Sequence, residues 1–176
     1  RDGERYIMAE ALVGAHEAEF GHAQRIDTLR GSDLVGRRYT PLFNYFADTD
    51  LHGTENAWQV LAADFVSIDD GTGIVHLAPG FGEDDQIVAN EAGIPTLCPM
   101  DEHGCYTAEI SDYAGTHVFD ANKRIIADLK ERNVVVRHTT YDHSYPHCWR
   151  CAEPLVYRAI SSWFVQVTAF RDRMVE

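Results

Sequence analysis

Hydrophobic positions along the chain fall into short runs punctuated by glycine and proline, with three longer stretches of helical period. Tyr6-Ile7-Met8 predicts a short strand and residues 9–20 a helix ended by Gly21, with Leu12, His16 and Phe20 near one face. Residues 24–29 return as a strand. Residues 58–68 form an apolar, β-branched and aromatic run. Asp69-Asp70-Gly71-Thr72-Gly73 supplies turn chemistry after it, and residues 74–77 make the returning strand of a hairpin. Beyond Pro79-Gly80-Phe81-Gly82, residues 83–92 predict a second helix with an acidic first turn, Ile87 and Val88 facing inward, and Gly93 just past its end. A strand is expected near residues 96–98. Asp120 is the expected N-cap of a third helix over residues 121–132, striped by Ile125, Ile126 and Leu129, and Val134-Val135-Val136 leaves it as a strand. The tail predicts two strands, 155–160 and 163–167, with Thr168 capping a final helix.

Strands and helices in this order do not alternate regularly enough for a doubly wound sheet. The pattern predicts an α+β fold with a mostly antiparallel, barrel-like β core and a few peripheral helices. Two parts are expected, residues 1–142 and a return segment over residues 143–176.

Composition narrows the function. The 176 residues carry 15 Lys+Arg against 28 Asp+Glu, a net charge of −13, with 45 % hydrophobic residues and only 6 Pro, which excludes disorder as the main state. Such acidity argues against a general nucleic-acid binder, because phosphate binding needs clustered Lys and Arg, and it favours a monomer. Arg37, Arg38, Lys123, Arg124, Lys130, Arg132 and Arg137 are the credible phosphate contacts. Trp58, Trp149 and Trp163 either stack on bases or pack a core. No apolar run reaches the length of a membrane span and no signal peptide is recognisable, so a cytoplasmic chain without a membrane partner is expected. The first residues read as the middle of a longer chain.

Four cysteines are too few and too unevenly spaced for a disulfide scaffold of this length. Cys148 and Cys151 have zinc-ligand spacing, yet a structural zinc site takes four ligands, so the pair is either half a site or two reduced thiols in a knuckle. Cys98 and Cys105 read as buried free thiols. His16, His22, His52, His117 and His138 are scattered.

The densest chemistry lies between residues 71 and 85. Its glycines precede a strand rather than a helix and no Gly-Lys-Ser/Thr follows, so it is not a phosphate loop. It places His76 on an expected strand and Glu83, Asp84 and Asp85 in the first turn of the next helix. A Pro/Gly loop able to fold one over the other joins them, an arrangement suited to clamping a small cation. A core histidine and a helix-dipole complement account for the same residues.

This stretch resembles the editing motif of isoleucyl-tRNA synthetases, within the inserted domain known as connective polypeptide 1. Leu34-Val35-Gly36-Arg37-Arg38-Tyr39-Thr40-Pro41-Leu42-Phe43, Asp101-Glu102-His103-Gly104-Cys105-Tyr106-Thr107, and His143-Ser144-Tyr145-Pro146-His147-Cys148-Trp149-Arg150-Cys151 leading to Ser162-Trp163-Phe164-Val165 resemble the same family, in the same order. The fold it implies is the editing-domain type of class I synthetases. The His-x-Gly-His and Lys-Met-Ser-Lys-Ser signatures of the ATP-using catalytic domain occur nowhere in the chain, so aminoacylation is not expected of it.

The activity the resemblance implies is hydrolysis of Val-tRNA(Ile). Its partners are the valine-bearing 3′ end of that tRNA and the remainder of a synthetase chain, and the hydrolysis needs no cofactor. One methylene is worth only ~1–3 kcal/mol, a limit for which isoleucine against valine is the familiar worked case, so a second, smaller pocket is required. By the resemblance Asp85, nine positions after His76, takes the substrate ammonium. His76 closes the side-chain end and positions the ester, and Thr72, Gly73 and Ala78 line the substrate. Replacing Asp85 with alanine is expected to abolish productive binding of every amino acid. A lysine stands at the His76 position in valyl-tRNA synthetases, which also lack the Cys-Trp-Arg-Cys segment. The family's Thr-Thr-Thr-Pro-Trp segment, another wall of the pocket, is expected upstream of the first residue. The alternative is therefore a catalytically silent module that docks tRNA or serves structure. The resemblance also implies that a partner for Cys148 and Cys151 can lie outside this region.

Overall fold

The computed structural model describes residues 3–21 and 23–175; His22, one of the scattered histidines, lies outside them. Among the described residues five α-helices occur in order: α1 (Glu17–Phe20), α2 (Thr49–His52), α3 (Glu83–Glu91), α4 (Val118–Glu131) and α5 (Arg171–Val175). Short 3-10 turns over Glu10–Leu12, Gly14–His16, Gly31–Leu34 and Val167–Ala169 complete the regular structure.

The barrel-like β core is not there. Among the described residues no strand forms, and pairing is confined to four isolated antiparallel bridges: Arg38 with Gln59, Met100 with Tyr106, Cys105 with His117, and His147 with Pro154. A strand is stable only when a neighbour lies alongside to take its backbone groups. Here the apolar runs are interrupted before a ladder can grow. Trp58 adopts φ 57° at the head of the 58–68 run, which closes through the Ala63–Val66 turn, and Gly71 and Gly73 are also left-handed. The expected return strand leaves Ile74 and Val75 about half exposed. The tail runs at 155–160 and 163–167 likewise remain single. Trp163 is 98 % and Phe164 94 % exposed, and Thr168 lies inside a 3-10 turn rather than capping a helix.

The first expected helix breaks into two 3-10 turns and the single turn α1. Its own histidine contributes to this, because His16 Nδ1–H donates to the Leu12 carbonyl at 3.1 Å, the acceptor that an α-helical His16 N–H would use. That N–H bonds Val13 instead.

The other two helices form. Helix α3 ends through the Gly93 N–H to Asn90 carbonyl and Ile94 N–H to Ala89 carbonyl bonds, with Gly93 at φ 68°. It buries Ala89, whereas Ile87 is exposed, opposite to the expected inward face. Helix α4 starts three residues before the predicted first turn. His117, not Asp120, is the N-cap, its Nδ1 accepting from Phe119 N–H at 3.4 Å.

Apolar burial is sparse. The chain exposes 14047 Å², against roughly 8,600 Å² for a compact monomer of this mass. Its best-buried group of neighbours in sequence is Met100, Ile110, Tyr113 and Ala121. The Tyr113 hydroxyl donates to Asp128 Oδ2 at 2.5 Å, tying the 110–116 loop to α4. Burial and that carboxylate push the Tyr113 phenol up to about 12.

Because the folded chain holds Tyr113 neutral beyond its ordinary value of 10.0, this contribution is complete below pH 10 and disappears as pH rises through about 12. Tyr113→Phe leaves Asp128 without its donor and is expected to cost about 1.5–3 kcal/mol in urea unfolding at neutral pH. It should also shrink the loss of stability between pH 10 and 12.

Candidate functional site

The stretch singled out in the sequence folds as a chain of tight turns. At its start the Thr72 carbonyl accepts from Ala9 N–H at 2.8 Å, and a Cβ on Gly73 would lie 2.6 Å from Ala9 Cβ, so the segment before the first 3-10 turn rests on residues 72 and 73. Gly73, at φ 73°, supplies both the left-handed backbone and the room for that approach. The Thr72 hydroxyl donates to the Ile74 carbonyl.

Residues 74–78 form no regular structure, and His76 is exposed. The Ala78 carbonyl then accepts from Phe81 N–H at 2.8 Å and Gly82 N–H at 3.1 Å, closing a turn over Pro79 and Gly80. Gly82 is the N-cap of α3 and offers no side chain to the helix start. Asp85, in the first turn, reaches back instead, and its Oδ2 accepts from Ala78 N–H at 2.9 Å. One carboxylate oxygen thus locks the turn to the helix. Among the described residues Oδ1 has no hydrogen bond.

Close approach of backbone fixes this turn in the molecule. A Cβ on Gly80 would lie 2.3 Å from the Leu97 carbonyl oxygen, and the Gly80 carbonyl accepts from Ala159 N–H at 2.7 Å. Gln86 Nε2 donates to Thr96 Oγ1, and Arg158 donates to the Met100 and Asp101 carbonyls. The loop therefore lies in a seam between residues 96–101 and 158–159.

Of the expected site residues, Ala78 and Asp85 meet directly. His76 stands two residues before Ala78, so its Cα is within about 7 Å of the Ala78 Cα. Thr72 and Gly73 face the Ala9 segment. Two open depressions lie elsewhere: one of about 370 Å³ is bordered by Leu42, Phe43, Asn44, Tyr45, Asp112 and Arg132, and one of about 340 Å³ by residues 4–6 with Asn133, Val134 and Val136. No simple sequence signal marks the first, because its residues lie on three separate segments.

Cys148 and Cys151 form a knuckle. The Cys148 N–H donates to the Glu153 carbonyl and the Ala152 N–H to the Cys148 carbonyl, each at 2.8 Å. Backbone N–H groups of Cys151 and Arg150, and then the Cys151 side chain, hold the Cys148 thiol below its ordinary range. His143 and His147 engage backbone carbonyls through Nδ1. Among the described residues no three His, Cys, Asp or Glu side chains gather into a metal site, so the knuckle supplies two ligands and no complete tetrahedral set. Among these residues, too, no helix is long and apolar enough to cross a membrane.

No family model matches the chain. Curated relatives do. The isoleucine–tRNA ligase of Mycobacterium leprae is 51 % identical over 98 % of the chain, that of Corynebacterium diphtheriae 55 % over 99 %, and that of Rickettsia canadensis 49 % over 97 %. The chain spans only 17 %, 16 % and 16 % of those proteins. Each of these relatives is an aminoacyl-tRNA ligase. Within that class, the chain matches a fragment of isoleucine–tRNA ligase, with homology over nearly its full length.

Gly80→Ala forces the Leu97 carbonyl and the turn apart. The expected cost is about 1–3 kcal/mol by thermal or urea unfolding, the scale of overpacking at a closed site. Gly71→Ala meets nothing within 4 Å and so suffers only the penalty of its left-handed φ.

Proposed function

We propose that this chain carries part of an editing site that hydrolyses valine from mischarged tRNA(Ile). The observation that supports it most is the placement of Asp85, a carboxylate in the first turn of α3 with Oδ2 engaged by Ala78 N–H. This leaves Oδ1 able to accept from the ammonium that every aminoacyl ester carries, a charge-assisted bond in fixed geometry. In this reading His76, exposed on the preceding segment, limits the side-chain end of the pocket and orients the ester.

In the reaction a water oxygen attacks the ester carbonyl. The acyl C–O bond breaks, valine leaves as its carboxylate, and the terminal ribose oxygen takes a proton. ATP-dependent ligation belongs to the remainder of a synthetase chain, and the setting is the cytoplasm, with the chain monomeric apart from that remainder. The Cys148–Cys151 knuckle serves as half of a zinc site to be completed from outside these residues.

A second reading is favoured by the positions of the two depressions away from the motif: a silent module that docks tRNA. Deacylation of Val-tRNA(Ile), measured on this chain and on one extended upstream through a threonine-rich segment, separates the two. Release of valine by the extended chain supports editing, and no release by either overturns it.

Asp85→Asn keeps an acceptor for Ala78 N–H but removes the charge. It is expected to slow hydrolysis roughly 10- to 150-fold with little change in melting temperature. His76→Ala should raise hydrolysis of Ile-tRNA relative to Val-tRNA, and an unchanged ratio would contradict the role given to His76.

A further inference from the structure

The knuckle at residues 148–151 holds two thiols that the proposed hydrolysis does not use. Its stem is the antiparallel bridge between His147 and Pro154, and the Cys148 N–H donates to the Glu153 carbonyl at 2.8 Å just inside it. The Ala152 N–H then donates to the Cys148 carbonyl, also at 2.8 Å, and Ala152 leaves the turn at φ 60°. One helical turn closed by such a bond sets the Cα atoms of its first and fourth residues, here 148 and 151, about 5 Å apart. Disulfides span roughly 4.4–6.8 Å between Cα atoms, so the backbone already stands at bridging distance. The Cys151 side chain hydrogen-bonds to the Cys148 sulfur. Cys151 is exposed and Cys148 half-buried, so one sulfur can meet an outside reagent while the other lies behind it.

Cys98 and Cys105 lack this placement. The bridge between Met100 and Tyr106 and the Asp101 N–H to Cys105 carbonyl bond set Cys105 against Asp101, out of line with Cys98, and both are half-buried.

We propose that Cys148 and Cys151 are a reversible oxidation site, a dithiol that a low-molecular-weight disulfide converts to an intramolecular bridge. The Cys151 sulfur attacks one sulfur of the reagent, whose S–S bond breaks, and the first small thiol leaves with the Cys151 proton. The Cys148 sulfur then attacks the Cys151 sulfur, and the second small thiol leaves with the Cys148 proton. Two protein thiols are oxidised and one reagent disulfide is reduced to two thiols. The Arg150 guanidinium, 4.6 Å over the ring of the 85 %-exposed Trp149, places positive charge between the cysteines, where a chain of net charge −13 would otherwise repel an anionic disulfide. Bridged sulfurs are lost as thiolate ligands, so oxidation also withdraws the knuckle as half of a zinc site.

The test incubates the reduced 176-residue chain with glutathione disulfide and a chelator and follows the intact mass. A loss of ~2 Da, the two thiol hydrogens, is expected, and reduced glutathione should restore them. Trypsin cuts after Arg150, between the two cysteines, so peptides 138–150 and 151–158 of the oxidised chain should stay joined until a reductant is added. Cys148→Ser should stop at the mixed disulfide, one glutathione heavier at Cys151, and Cys151→Ser should form no bridge. An unchanged mass, a bridge through Cys98 or Cys105, or disulfide-linked dimers would each overturn the proposal. The peptide map of the unaltered chain decides between these outcomes even if a variant fails to fold, and none of them bears on ester hydrolysis.

Discussion

With so little apolar area withdrawn from water, the arrangement depends on places where the backbone itself comes close, and these need residues with almost no side chain. Gly80 against the Leu97 carbonyl and Gly73 against Ala9 are such places. Each joins segments distant in sequence by removing a side chain rather than by adding one. A methyl group at Gly80 would disturb more of the molecule than truncating most of its larger apolar residues, because many of those are exposed.

The same scarcity explains which expectations held. The positions of α3 and α4 were legible because a helix satisfies its backbone locally, so acidic first turns, apolar spacing and a terminal Gly93 carry enough information. The start of α4 was not, since an imidazole at His117 caps as effectively as the Asp120 carboxylate suggested by composition. Strands were the systematic failure. Alternating apolar residues state that a segment could face a partner, and say nothing of whether one arrives; residues 74–77 and 163–167 have the pattern and lack the neighbour.

Similarity to isoleucine–tRNA ligases was the most legible property of all, carried by motifs spread from Leu34 to Val165 and matched by relatives over 97–99 % of the chain. Short motifs reveal ancestry without specifying the packing around them. The Asp85 bond to Ala78 is a case in point: the sequence offered a carboxylate and a turn, and only the coordinates join them. The Tyr45–Asp112 bond, between residues 67 positions apart, is beyond any local signal.

The bond from Ala78 to Asp85 constrains the geometry of the motif. A carboxylate at the start of a helix with a Gly cap would ordinarily serve the helix, but here a glycine at 82 lets the side chain fold back, since a Cβ there would lie 2.9 Å from Asp85 Oδ2. The oxygen spent on Ala78 holds the other one at a set distance from the 76–78 segment. Loop geometry and the position of this carboxylate are then coupled through a single side chain. Any substitution that frees the loop from this bond also frees the carboxylate.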